Sequence, residues 1–343
     1  MHACFFSALE SSRAVLVIRD INAIPSSVRS GAVAIGNFDG VHRGHAQIVA
    51  RLLDKAKQVG GLSTVFTFDP HPVRLLRPEH APPPLTWTDR KAELLAELGV
   101  HAMIAYPTDE NFLKLDARQF FESIIRRALD ARALVEGANF YFGRGREGTI
   151  SMLRSLCSEA AIDLTVVEPV QAGGEYVSSS RVRKLVAAGQ MAEALAMLTQ
   201  PYRIRGLVTH GAGRGAKIGF PTANVEAVDT LLPGPGVYAG RALFAGGDWP
   251  AAINIGPNPT FGEQSLKVEV HLIGYHGNLY GVPLEVDFYS RLREIQRFQN
   301  VAELQGQLKR DVELASQIAG QASQVNRQAS RILEQGRQIA RAE

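Results

Sequence analysis

The chain has 343 residues, 45% hydrophobic and 21% charged, with 37 Lys and Arg against 34 Asp and Glu for a formal charge of +3. That balance excludes a disordered chain, the length suits two domains of ordinary size, and so small a charge leaves no electrostatic footprint for nucleic acid. Two distant cysteines, Cys4 and Cys157, exclude a disulfide framework.

No apolar run approaches the roughly 20 residues that cross a bilayer, and the apolar Met1–Leu9 lacks the basic region that opens a signal peptide, so a cytoplasmic protein is expected. From Ala32 onward, short apolar runs alternate with helical patterns. Strands are expected at Ala32–Gly36, Ser63–Phe68, His101–Tyr106, Ala133–Glu136 and Leu164–Val167, and helices at His45–Val59, Thr88–Leu98, Ala117–Leu129 and Gly148–Ala160. This alternation predicts βαβ units and a mostly parallel sheet.

Between the first strand and the first helix lies Gly36-Asn37-Phe38-Asp39-Gly40-Val41-His42-Arg43-Gly44-His45. Glycines at such a junction let the backbone approach a phosphate, and the free N–H groups and dipole of the following helix favour the anion. His42 and His45, three apart around Gly44, can face one phosphate chain and stabilise the charge on departing pyrophosphate. The same histidines would also suit a simple helix cap, or a zinc site with Asp39 as the nearest further ligand. Asn139, between glycines, suits either a ligand contact or a turn.

Beyond Val170, Ser178-Ser179-Ser180-Arg181 combines three hydroxyls with a guanidinium at the start of a helix expected over Arg181–Leu198. It reads as a second anion site or as a solvated cap. The texture then turns to strands separated by Gly-rich turns: Tyr202–His210, Gly236–Phe244, Ala251–Ile255, Lys267–Ile273 and Leu284–Tyr289. They predict a small antiparallel barrel, with a helix about Val301–Ala315 closing it. The stretch Gly211–Asn224 fits neither a Walker A loop, which needs Gly-Lys-Ser/Thr, nor a dinucleotide fingerprint, because Pro221 stands where a helix should run. What remains is a glycine loop with Gly213, Arg214 and Lys217, then Thr222 and Asn224, whose side chains share one face of an extended segment. Neutral oxygens with nucleotide phosphates suit Mg²⁺; a plain β-turn is the alternative. In the tail, Ile318, Val325, Ile332 and Ile339 recur at seven-residue spacing beside Ala322, Ala329 and Gly336. That spacing suits a coiled-coil seam and self-association, or a helix that depends on a partner.

The string Gly-Asn-Phe-Asp-Gly-Val-His-x-Gly-His resembles the nucleotidyltransferase superfamily, and in particular the FAD synthetase module of bacterial bifunctional riboflavin kinase/FAD synthetases. Thr67–Pro72, Gly137–Gly143 and Ser178–Arg183 agree, with Ser180 where the family usually has Thr. Gly-Phe-Pro-Thr-Ala-Asn, Gly236–Ala239, Asn254–Phe261 and Val268–Leu272 resemble riboflavin kinases. Ile295 stands where that family often has an acid. The resemblance implies a Rossmann-like FMN adenylyltransferase domain over 15–198, a riboflavin kinase barrel over 199–312, and a tail over 313–343 outside it. It implies ATP and riboflavin as substrates, FMN and FAD as products, and Mg²⁺ as cofactor, while the small charge and the lack of a long apolar run set the expectation of no nucleic-acid or membrane partner. By position it assigns catalytic roles to His42, His45, Arg181 and Glu269. It assigns ATP contacts to Gly36, Asn37, Phe38, Gly44, Ser178, Ser179, Ser180, Gly213 and Lys217, flavin contacts to Asn139 and Arg293, and Mg²⁺ to Thr222 and Asn224. Read alone, Glu269 on its apolar strand is either functional or half of a salt bridge. A narrower reading keeps one domain catalytic and makes the other a binding module.

Overall fold

The computed structural model describes residues 14–257 and 266–339, with side chains as far as Ala322. Pro259-Thr260-Phe261 and the side chains of the heptad positions beyond Ala322 lie outside the described residues. The chain divides into two units, residues 14–179 with 197–199, and residues 180–196 with 200–339.

The first unit is a six-stranded sheet in the order β1-β4-β3-β2-β5-β6. Its strands are β1 (Leu16–Ile18), β2 (Ala32–Ile35), β3 (Ser63–Phe68), β4 (Ala102–Tyr106), β5 (Ala133–Gly137) and β6 (Asp163–Val167), all parallel to their neighbours. Every residue of β2 is buried, as a parallel strand covered on both faces requires. One core layer gathers Phe66, Ile104, Phe121 and Leu134, and the other Leu52, Val65, Leu95 and Met103. Helix Arg43–Val59 seats Val49, Leu52 and Ala56 on the sheet and stops at Gly60, whose φ of 66° only glycine adopts at little cost. Strand order reverses at β2, which has β3 on one side and β5 on the other. In open α/β sheets such a reversal opens a crevice beyond the carboxyl ends of the strands. Here β2 and β5 pair only at Ala32–Ala133 and Val33–Leu134. Farther along, the Ile35 N–H donates instead to the buried Glu136 carboxyl at 2.8 Å.

A small two-stranded pair, β7 (Gln171–Ala172) and β8 (Glu175–Tyr176), precedes the second unit. That unit holds a closed antiparallel barrel in the order β10-β13-β12-β11-β14-β9. The strands are β9 (Tyr202–Thr209), β10 (Ala223–Glu226), β11 (Gly236–Phe244), β12 (Gly247–Gly256), β13 (Lys267–Leu272) and β14 (Pro283–Arg293). Tyr238, Ile253, Val270, Leu284, Val286 and Phe288 fill its interior. The helix Val301–Ile339 seats Leu304, Asp311, Ala315 and Ala319 against it.

Four elements depart from expectation. The single helix expected over Arg181–Leu198 is two, Ser179–Ala187 and Met191–Met197. Between them Gly189 takes φ +73°, and a Cβ there would meet the Tyr238 hydroxyl at 2.5 Å, so the break is built into the packing. Strands β1 and β10 were not anticipated as strands, since one has three residues and the other sits inside the polar Thr-Ala-Asn segment. The closing helix also runs well past Ala315.

Candidate functional site

Each unit places polar side chains where a ligand can reach them. In the first unit the Gly36–His45 loop leaves the carboxyl end of β2 at the strand-order reversal. Its backbone is unusual: Phe38 has φ +46°, Gly40 +80° and Val41 +36°. A β-branched residue rarely adopts such an angle, and strain of this kind persists only where packing enforces it. Phe38 and Val41 are both fully buried. The buried Asp39 carboxylate anchors the turn from below, accepting from the N–H groups of Leu85 and Thr86 at 3.0 Å and from the Thr86 hydroxyl at 3.1 Å. The Thr67 hydroxyl donates to the Asn37 carbonyl at 3.0 Å.

His42 caps the helix that follows, with its Nδ1 facing the His45 N–H at 3.4 Å. The two rings stack with centroids 3.7 Å apart, and Phe38 packs on His45 at 4.9 Å. Gly44 permits this, because a Cβ there would lie 3.1 Å from the His42 ring. Burial lowers the His42 pKa to about 4 despite the opposing pull of Asp39. Burial, then the His42 ring and Lys91, hold His45 well below the usual range. Both are therefore neutral donors at pH 7, suited to taking charge from a phosphate oxygen. Asn37 Oδ1 and His45 Nδ1 are buried with no hydrogen-bond partner among the described residues. Buried polar atoms of this kind call for a partner such as water or a ligand group. No group of three His, Cys, Asp or Glu suited to a metal occurs among the described residues, which removes support for the zinc alternative.

The other expected residues distribute as follows. Ser179 belongs to the loop's surroundings, its hydroxyl donating to the Asp39 carbonyl at 2.9 Å, and Ser178 precedes it in the same unit. Ser180 and Arg181 begin the second unit. Asn139 sits exposed in the turn closed by Phe140 N–H to Gly137 O at 3.0 Å, at the carboxyl end of β5. Glu136 and Lys91 are buried titratable groups that the sequence does not single out. Each looks apolar-bound by periodicity, and only the strand contacts reveal its partner.

In the second unit a cavity on the outer face of the barrel is lined by Gly213, Arg214, Thr222, Asn224, Asn254, Glu269, His271, Arg293 and Ile295. Strand alternation explains it. Val268, Val270 and Leu272 face the core, which turns Glu269 and His271 outward to the cavity. Register sets Asn224, Glu269 and Asn254 side by side across β10, β13 and β12. Asn254 Nδ2 donates to Glu269 Oε2 at 3.3 Å. Asn254, quoted above only as part of the kinase resemblance and given no site role, is legible as a polar residue between Ile253 and Ile255. The glycine loop folds tightly over this row: a Cβ on Gly211 would overlap the Asn224 side chain at 2.0 Å, and one on Gly215 would meet the Phe220 carbonyl at 2.3 Å. His271 Nδ1 lies 2.7 Å from the Pro221 carbonyl and so carries the proton. Lys217 shares the short turn Arg214–Lys217 but is not part of the cavity lining. Arg293 reaches the cavity with its guanidinium held by Asp311, at 3.0 Å from Nε and 2.8 Å from Nη2.

Residues 24–181 match the FAD synthetase family, and residues 198–319 match the riboflavin kinase family. The bifunctional riboflavin kinase/FMN adenylyltransferase of Escherichia coli K12 is 35% identical, the alignment covering 89% of this chain and 98% of that protein. Its counterpart in Pseudomonas fluorescens is 34% identical over 88% and 97%. Among solved structures, a Streptococcus pneumoniae chain described as a macrolide-efflux protein superposes with a TM-score of 0.78 at 27% identity, covering 88% of this chain and 98% of its own. The chain therefore belongs to the family of bifunctional riboflavin kinase/FMN adenylyltransferases.

Proposed function

We propose that this chain makes FAD from riboflavin in two steps, one in each unit. The barrel transfers the γ-phosphoryl of ATP to the ribityl hydroxyl, giving FMN and ADP. The N-terminal unit lets an FMN phosphate oxygen attack the α-phosphorus of a second ATP, forming FAD as the bond to pyrophosphate breaks. The observation that carries the reading is the Asn224–Glu269–Asn254 row in one unit and the neutral His42–His45 pair in the other, each beside a glycine loop.

In the barrel, Glu269 accepts the hydroxyl proton while Asn254 holds its carboxylate in place. Thr222 and Asn224 fit Mg²⁺: they are neutral oxygen donors in the cavity with one carboxylate nearby, and the glycine loop leaves no room for a bulkier cradle. When bound, Mg²⁺ neutralises charge on the nucleotide phosphates. Gly213 and Lys217 contribute the loop's phosphate contacts, and Arg293, steadied by Asp311, borders the flavin. In the N-terminal unit, His42 and His45 donate to oxygens of the leaving pyrophosphate. Gly36, Asn37, Phe38 and Gly44 shape the phosphate cradle. Ser178, Ser179 and Ser180 supply hydroxyls, Arg181 a guanidinium, and Asn139 a flavin contact. The domain limits follow the two activities, 15–198 for adenylylation and 199–312 for phosphorylation, with 313–343 a tail suited to self-association. The protein works in the cytoplasm.

The test is direct. The protein is incubated with riboflavin, ATP and Mg²⁺, and the flavins are separated by chromatography. FMN and then FAD are expected; riboflavin left unchanged refutes the kinase assignment, and accumulation of FMN alone refutes the adenylyltransferase.

A further inference from the structure

Lys91 is a buried cation to which the two-step reading gives no task. It lies on the helix Thr88–Glu97 and is 8% exposed. Its Nζ donates to the Thr67 hydroxyl at 3.2 Å, and that hydroxyl donates to the Asn37 carbonyl at 3.0 Å, so a two-bond chain joins the ammonium to the phosphate loop. An ammonium has three donors, and among the described residues this one makes a single hydrogen bond. Burial pulls its pKa down, against the opposing pull of Asp39 and Asp69. It acts on the His45 ring as a neighbouring positive charge. Asn37 Oδ1 and His45 Nδ1, the two buried atoms without partners, belong to the same loop. Three polar groups with unused bonding capacity thus lie in or beside one loop.

Keeping a cation under a loop in this way is costly unless something anionic joins it. Asp39 is committed to the 85–86 backbone, and Asp69 to the Thr88 hydroxyl at 2.5 Å and Arg19 at 3.5 Å. Asp39 and Asp69 offset part of the charge from where they stand, and a phosphate would supply the acceptors that Lys91 lacks together with further counter-charge. We propose that Lys91 is a further phosphate ligand of the adenylylation site, donating to a phosphoryl oxygen of bound ATP or FMN. The proposal rests on the adenylyltransferase reading above.

Full-length Lys91→Gln and Lys91→Met are assayed for FAD formation from FMN and ATP, with each substrate varied in turn. Met removes the charge without burying a new polar group, so it carries the test if Gln disturbs folding; thermal unfolding identifies the folded variant. The expected result is a fall in kcat/KM of roughly 10- to 100-fold, the worth of one hydrogen bond to a charged group, expressed as a raised KM. A raised KM for FMN names the flavin phosphate as the ligand, and a raised KM for ATP names the triphosphate. Lys91→Arg restores part of the loss. Wild-type KM values for both substrates in a folded, charge-removed variant overturn the proposal, whatever happens to kcat. Wild-type protein that forms no FAD would instead refute the reading on which the proposal rests.

Discussion

At the scale of single residues, the proposed adenylylation site offers two imidazoles that burial keeps neutral at pH 7. Unfolded His42 takes a proton near its ordinary value of 6.5, whereas folded His42 does so only near 4. Between those values the unfolded chain binds more protons, so stability falls as pH drops through this window. Acidifying from pH 7 to 5 should remove about 2 kcal/mol through His42 alone. Urea unfolding of the N-terminal unit at both pH values measures it, and His42→Gln should show a smaller acid sensitivity than the parent; equal sensitivity would contradict the assignment. His45→Ala should leave riboflavin phosphorylation intact while FAD formation falls roughly 100- to 1,000-fold, the usual worth of a positioned donor to developing charge. Product chromatography should then show conversion stopping at FMN. The two histidines were legible because their spacing brackets Gly44 at a strand–helix junction. Lys91 was not, since its neighbours in sequence say nothing of Thr67, which meets it from strand β3.

Among the elements, the fork between β2 and β5 positions the first site. Pairing ends after Val33–Leu134, and the freed Ile35 N–H would be an orphan without Glu136. Burial raises the Glu136 pKa well above its ordinary value, against the Ile35 hydrogen bond, so burial favours the neutral carboxyl, whose oxygen accepts from Ile35. An amide oxygen can do the same work. Glu136→Gln should therefore retain stability and adenylylation, while Glu136→Ala strands the N–H and costs about 1–3 kcal/mol, read as a lower denaturation midpoint. Strands whose apolar runs are long, such as Ser63–Phe68 and Gly236–Phe244, could be read with their bounds from sequence. Those set by tertiary pairing could not. Ala223–Glu226 becomes a strand because β9 and β13 flank it, and the helix break at Gly189 answers to Tyr238, some 50 residues on in the chain.

For the whole molecule, the core of each proposed ligand set lies in one unit, although Ser180 and Arg181 of the adenylylation set stand at the start of the second unit. The row of Asn224, Glu269 and Asn254 comes entirely from the barrel, and the His42–His45 pair entirely from the parallel sheet. Damage to one set should spare the other. Glu269→Gln removes the base while keeping an acceptor for Asn254, so riboflavin phosphorylation should fall at least roughly 100-fold, within the range for a positioned general base. The same protein should still convert supplied FMN to FAD. Mixing Glu269→Gln with His45→Ala then restores what neither does alone, because FMN released by one protein is the substrate of the other. FAD should appear from riboflavin after a lag that shortens as the concentration of the His45→Ala protein rises. If the mixture accumulates FMN without FAD, the released intermediate does not reach the second protein's site, and independent use of the two sites is disproved.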